Sequence, residues 1–184
     1  LLSLYPVKPP SGEFLTTNGR IRFHPNYYGS GKICLSILNT WTGPQWRMSQ
    51  NLSAIVIHFK TILDQEPLRH EPSYENSSKK KIKSYNDVIS YYNYQYAILE
   101  MVKNTTVPEF KEVIYHNFMN NFENYMKNIL NLNDEFPDGK FLEAPISCWN
   151  MKCKTNYSII INQFIEEHDR IKNSIASSIL DQNL

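Results

Sequence analysis

With 184 residues and a formal net charge of +1, the chain is long enough for one domain with a proper core, or for a domain and a helical appendage. The near-neutral charge gives no case for nucleic acid or an anionic membrane as a partner, and no apolar run approaches the roughly 18–20 residues of a membrane span. A hydrophobic share of 41% with 13% aromatics excludes the disordered class. The expectation is a soluble globular chain. Leu1-Leu2-Ser3-Leu4-Tyr5-Pro6 lacks the basic start and long apolar centre of a signal peptide. The three cysteines, Cys34, Cys148 and Cys153, are odd in number and have no scaffold-like spacing, which favours a reducing compartment, cytoplasmic or nuclear. Cys148 and Cys153 leave a disulfide or a metal role open. Their spacing is wrong for a zinc knuckle, so two thiols in a loop is the simpler reading.

In chain order, Phe14-Leu15-Thr16-Thr17 and Ile21-Arg22-Phe23 frame the turn signal Asn18-Gly19, as a hairpin or as a loop before His24. Leu35, Ile37 and Leu38 form a short apolar run, followed by a polar loop through Thr42-Gly43-Pro44 with Trp41 and Trp46 on either side. From Asn51 to Gln65, Leu52, Ile55, Val56, Phe59, Ile62 and Leu63 recur at helical spacing, predicting a core helix capped by Ser49 or Asn51. Glu66 to Glu75 is a proline-punctuated loop, and the lysine-rich stretch from Asn76 to Ser84 reads as a flexible connection. Helices are then predicted over Tyr85–Asn104 (Val88, Tyr92, Tyr96, Leu99 and Val102 on one face), from Pro108 (Phe110, Ile114, Phe118, Phe122, Met126 and Ile129), and over Tyr157–Leu180. The stripe of the last runs through Tyr157, Ile161, Phe164, His168, Ile171, Ile175 and Ile179, with His168 expected as a packed residue.

The chemistry concentrates in His24-Pro25-Asn26-Tyr27-Tyr28-Gly29-Ser30-Gly31-Lys32-Ile33-Cys34. Pro25 fixes its φ, the glycines let the chain double back, and Cys34 follows Asn26 by eight residues. A thiol with a fixed amide donor beside it suits acyl transfer, because the tetrahedral intermediate places negative charge on an oxygen. The segment, with Leu35-Ser36-Ile37-Leu38 after it, resembles the active-site signature of ubiquitin-conjugating enzymes. Asn39-Thr40-Trp41-Thr42-Gly43-Pro44-Gln45-Trp46 narrows the likeness to the larger members of that family, although Arg47-Met48 replaces the usual Ser-Pro.

That resemblance implies an α+β fold: an antiparallel sheet with packed helices, plus a carboxyl-terminal helical extension. It divides the chain into a conjugating core over 1–104 and an extension over 105–184. Tyr5-Pro6-Val7-Lys8-Pro9-Pro10 resembles the turn after the family's third strand, so the first helix and first strands are expected to be absent from this sequence. By the same resemblance Cys34 is the nucleophile that accepts ubiquitin, or a ubiquitin-like modifier, from an activating enzyme as a thioester and passes it to a lysine. Asn26 stabilises the oxyanion or holds the loop, and His24 supports that loop. An acidic or polar residue facing the thiol corresponds by position to Glu66, with His70 as second candidate. Trp41 and Trp46 wall the groove or simply pack. The partners implied are the modifier, an activating enzyme, ubiquitin ligases and substrate proteins. No cofactor or metal is implied, ATP being used by the activating enzyme rather than by this chain. The alternative is a catalytically inactive ubiquitin-binding or scaffold module of the same fold. A cysteine protease is poorer, since no histidine spacing suggests a triad.

Overall fold

A computed structural model describes residues 4–105 and 107–181, without the side chains of Cys148 and of residues 178–181. Helices dominate: α1 (Leu52–Thr61), α2 (Lys79–Tyr92), α3 (Met101–Lys103), α4 (Lys111–Glu135) and α5 (Tyr157–Asp181). Two short strands, β1 (Phe141–Glu143) and β2 (Lys152–Lys154), pair with each other. Flanking bonds from Ala144 N–H to Met151 O and from Thr155 N–H to Lys140 O, each 2.9 Å, make the pair antiparallel. The fold is α+β, as expected. The described residues divide into two compact units. One is built by the chain as far as Ile89 with Glu143–Met151, the other by Ser90–Leu142 with the residues from Lys152 onward. The division expected after Asn104 thus falls inside α2, and a short downstream segment returns to the first unit.

In the first unit, of the hairpin and the loop left open around Asn18-Gly19, the loop is what forms, without a ladder. Single bridges join Glu13 to Lys32, His24 to Tyr27 and Tyr27 to Ile33. Side chains and local turns divert the amides a ladder needs. Thr17 N–H turns back to Leu15 O (2.9 Å), and the Thr17 hydroxyl donates to Gly29 O (2.8 Å). Asn18 Oδ1 accepts from both Arg20 and Ile21 N–H, each at 3.1 Å, and Gly19 sits at φ +84°. The segment is a loop, held from below by the Phe14 ring stacked on Tyr27 at 4.7 Å.

Tyr27, Ile33, Leu35, Ile37, Leu38, Trp46 and Ile55 make the core of this unit, with Phe14, Phe59 and Ile62 packed on it. Asn51 caps α1, its side-chain oxygen accepting from Ala54 N–H at 3.0 Å. The helix is shorter than the apolar stripe and only partly core. Ile55 is buried, whereas Leu52, Val56 and Leu63 are more than half exposed. At 100° per residue, Ile55, Phe59 and Ile62 share one face, and the exposed three lie turned about 75° from it. The stripe is wider than the surface that receives it. A 3₁₀ turn over Pro67–His70 follows, with Leu68 fully buried.

The lysine-rich stretch is helix rather than flexible connection. It begins at Lys79, helped by Ser78 Oγ accepting from Lys81 N–H and by the Lys83–Asp87 ion pair one turn apart (2.8 Å). Ile82, Tyr85 and Val88 anchor it. Beyond Tyr92 the helix widens into a π turn over Asn93–Glu100, which changes its phase. Tyr91 and Tyr94 are therefore buried, with Tyr92 and Tyr96 only half so.

The second unit rests on α4 packed along α5. Phe118 lies 5.5 Å from Phe164, both fully buried, and the His168 ring stacks on Phe122 at 4.1 Å. Each such buried phenylalanine contributes about 1.5–3 kcal/mol. Phe110 and Ile175, predicted on these stripes, stand about half exposed near the helix ends, and the side chain of Ile179 lies outside the described residues. Cys153 is a half-buried free thiol whose pKa burial raises to about 11, so it is an inert one. The disulfide left open with Cys148 involves a side chain outside the described residues. Among the described residues no cluster fit for a metal ion is present, and no helix is long and apolar enough to cross a membrane.

Candidate active site

The chain from His24 to Cys34 folds back on itself. Tyr28 N–H donates to Lys32 O and Gly31 N–H to Tyr28 O, both at 2.9 Å, closing a tight turn that needs Gly31 at φ +87°. Gly29 runs against the Arg20 backbone, where an added Cβ would lie 2.9 Å from the carbonyl carbon. The turn brings Asn26 and Cys34 together through two bonds. Cys34 N–H donates to Asn26 O at 2.9 Å, and Asn26 Nδ2 donates to Cys34 O at 2.6 Å. Beyond the cysteine, Thr40 Oγ1 accepts from Leu35 N–H (2.9 Å) and donates to Leu35 O (3.1 Å).

Cys34 is 2% exposed and opens onto a small cleft lined by Pro25, Asn26, Tyr28, Trp41, His70, Glu71 and Pro72. Trp41 walls this cleft, while Trp46 belongs to the core, its indole N–H donating to Pro6 O at 2.7 Å. Tyr28 and Cys34 share the cleft, and interaction with the Cys34 thiol, followed by burial, raises the phenol's pKa. Burial raises that of Glu71, although Arg22 opposes the shift. Of the two loop candidates, His70 lines the cleft and Glu66 does not. Glu66 instead pairs with Arg69 Nε at 2.5 Å. Glu71 and Tyr28 are the cleft residues that the sequence did not single out.

His24 is fully buried beneath the loop. Its Nδ1 accepts from Asn26 N–H at 3.1 Å, so a neutral ring carries its proton on Nε2. Its ring lies 4.7 Å from that of His70, whose Nε2 meets Asp64 Oδ2 at 2.8 Å. Burial opposes ionisation of Asp64, but the bonds from His70 and from Glu66 N–H, with the charges of the two histidines, together outweigh it and hold the carboxyl below its ordinary range. Burial first, then His70, lowers the pKa of His24 from 6.5 to about 4. The unfolded chain therefore binds a proton that the folded one refuses between those values. Its contribution to stability is complete above pH 6.5 and is lost as pH falls toward 4, in total about 3 kcal/mol. Urea midpoints followed from pH 7.5 to 4 are expected to fall less steeply for His24→Gln than for the natural chain, and equal slopes would exclude His24 as the source.

Comparison with known proteins agrees with this arrangement. The family model for ubiquitin-conjugating enzymes matches residues 2–93, half of the chain. The chain belongs to the ubiquitin-conjugating enzyme family. Within it the sequence is close to the Z type. It is 40% identical over 101 residues to ubiquitin-conjugating enzyme E2 Z of Xenopus tropicalis, covering 54% of this chain and 32% of that protein. Against human E2 Z the identity is 38% over the same length, covering 54% and 28%. The human dual E2 ubiquitin-conjugating enzyme/E3 ubiquitin-protein ligase BIRC6 is 39% identical over 125 residues, which are 62% of this chain and 3% of that protein. The chain thus spans under a third of the length of these relatives.

Proposed function

We propose that this chain carries ubiquitin, or a related modifier, as a thioester on Cys34 and transfers it to a lysine amine. The observation that carries the reading is a nearly buried cysteine, its backbone tied to Asn26 by two hydrogen bonds, opening onto a cleft that also holds the half-buried Glu71 carboxylate. In charging, the Cys34 thiolate attacks the thioester carbonyl presented by an activating enzyme, the S–C bond forms on Cys34, and the enzyme's thiolate leaves. In transfer, the lysine nitrogen attacks, its N–C bond forms, and the Cys34 S–C bond breaks. A thiol shielded from water suits both steps, because a carrier must not hydrolyse its cargo. ATP belongs to the activating enzyme, and ligases and substrate proteins complete the partner set. Incubation with ubiquitin, ATP and a panel of activating enzymes is expected to give a thiol-sensitive adduct one ubiquitin larger. Ubiquitin binding without any adduct would favour a scaffold module instead.

Glu71 takes the role the sequence offered to Glu66, that of accepting the lysine proton as the N–C bond forms. Its raised pKa makes it a better base than an open carboxylate. Glu71→Gln is expected to slow transfer to free lysine by about 10²-fold with charging unchanged. Raising the pH should recover part of the loss, since more of the amine then arrives deprotonated. A variant slowed equally in charging would point to damage of the cleft rather than a missing base.

A further inference from the structure

The Arg22 guanidinium is sandwiched between two aromatic rings. It lies 3.8 Å from the centroid of Tyr28 and 4.4 Å from that of Trp149. Tyr85 fixes this stack twice, its hydroxyl donating to Arg22 O at 2.5 Å and its ring meeting Trp149 edge-on at 6.1 Å. Trp149 comes from the downstream segment that returns to the first unit. There a 3₁₀ turn over Ser147–Trp149 is seated by buried Ile146 and Met151. A cation held on both faces by aromatic rings is worth about 2 kcal/mol or more where it is desolvated, and it restricts both rings. Tyr28, the inner ring, lines the cleft beside Cys34.

We propose that Trp149, acting through Arg22, is a positioning residue that keeps Tyr28 in the cleft, where its hydroxyl can reach the Cys34 sulfur. This rests on the reading of Cys34 as carrier. When the amine displaces Cys34, the N–C bond forms, the S–C bond breaks, and the bonding pair stays on sulfur. Tyr28 donates a hydrogen bond to that thiolate and keeps its own proton, and the amine's proton goes to the cleft carboxylate. A ring free to swing would offer the donor only part of the time.

The test is a double-mutant cycle in single-turnover transfer from the charged chain to free lysine. Trp149→Ala and Tyr28→Phe are each expected to lower the maximal rate about tenfold without moving the lysine concentration for half-maximal rate. The double variant should be no slower than Tyr28→Phe, and Trp149→Phe should stay within twofold of the natural chain. Additive losses, or a phenylalanine variant as slow as alanine, would overturn the proposal. If Trp149→Ala does not fold, Arg22→Gln breaks the same stack from its other member and enters the cycle in its place. If the natural chain is never charged, the carrier reading fails rather than the clamp. The same cycle is then read in Cys34 alkylation by iodoacetamide, where a loosened structure speeds the reaction and a lost hydrogen-bond donor slows it.

Discussion

Cys34→Ser is expected to hold the modifier without passing it on. The serine hydroxyl occupies the place of the thiol, and any adduct it accepts is an oxyester that survives thiol reductants. An oxyester is less activated toward amines than a thioester, because the alkoxide is a far poorer leaving group than the thiolate. Transfer to lysine should therefore drop roughly 10³-fold or more, the scale on which removal of a nucleophile acts. Cys34→Ala, with no nucleophile, should give no adduct. The fold should survive both changes, since the site is fixed by backbone bonds around Cys34 rather than by its sulfur. Non-reducing gels with thermal unfolding alongside check this. A thiol-sensitive adduct on either variant would move the carrier to another cysteine, of which Cys153 is disfavoured by burial.

Much of this site is legible in the sequence because it is local. His24-Pro25-Asn26, the two-glycine turn and Cys34 lie within a single short loop, and the bonds that join Asn26 to Cys34 are backbone-guided consequences of that turn. Glu71 is a different case. The loop holds two Glu-Pro pairs, Glu66-Pro67 and Glu71-Pro72, and proline restricts the residue before it in the same way at both. Which glutamate faces the thiol depends on the 3₁₀ turn over Pro67–His70 between them, and that turn is seated by burial of Leu68. Nothing in the spacing reports this. Tyr27 and Tyr28 pose the same problem in miniature, one ring entering the core and its neighbour the cleft.

The fold divides along the same line. Helical periodicity located α1, α4, α5 and the later part of α2 because each buries a face, yet it overstated the buried width of α1, where the receiving surface ends. Of the hairpin and the loop left open at Asn18-Gly19, the loop forms, because Thr17 and Asn18 divert locally the amides a ladder requires. The lysine run was misjudged on charge alone, when a Ser78 cap and the Lys83–Asp87 pair support a helix there. The return of Trp149 to the first unit is a long-range contact that no local pattern encodes.

Asn26→Ala is expected to separate two tasks we propose for one amide. Nδ2 bears two hydrogens. One goes to Cys34 O at 2.6 Å, and the other is not engaged by any described residue, so it remains available to an oxyanion formed at the cleft. Loss of the first should lower stability by about 1–2 kcal/mol, as for a hydrogen bond removed from a partly buried carbonyl. Loss of the second should slow transfer by about 10²–10³, the cost of one oxyanion donor. Asn26→Asp keeps the shape but sets a carboxylate against the Cys34 carbonyl, so it should be at least as destabilising as alanine and no faster in transfer. Urea unfolding and single-turnover transfer, measured on the same preparations, check the two parts. Transfer within threefold of the natural chain would confine Asn26 to holding the loop. Transfer lost with stability unchanged would place the amide on the oxyanion alone.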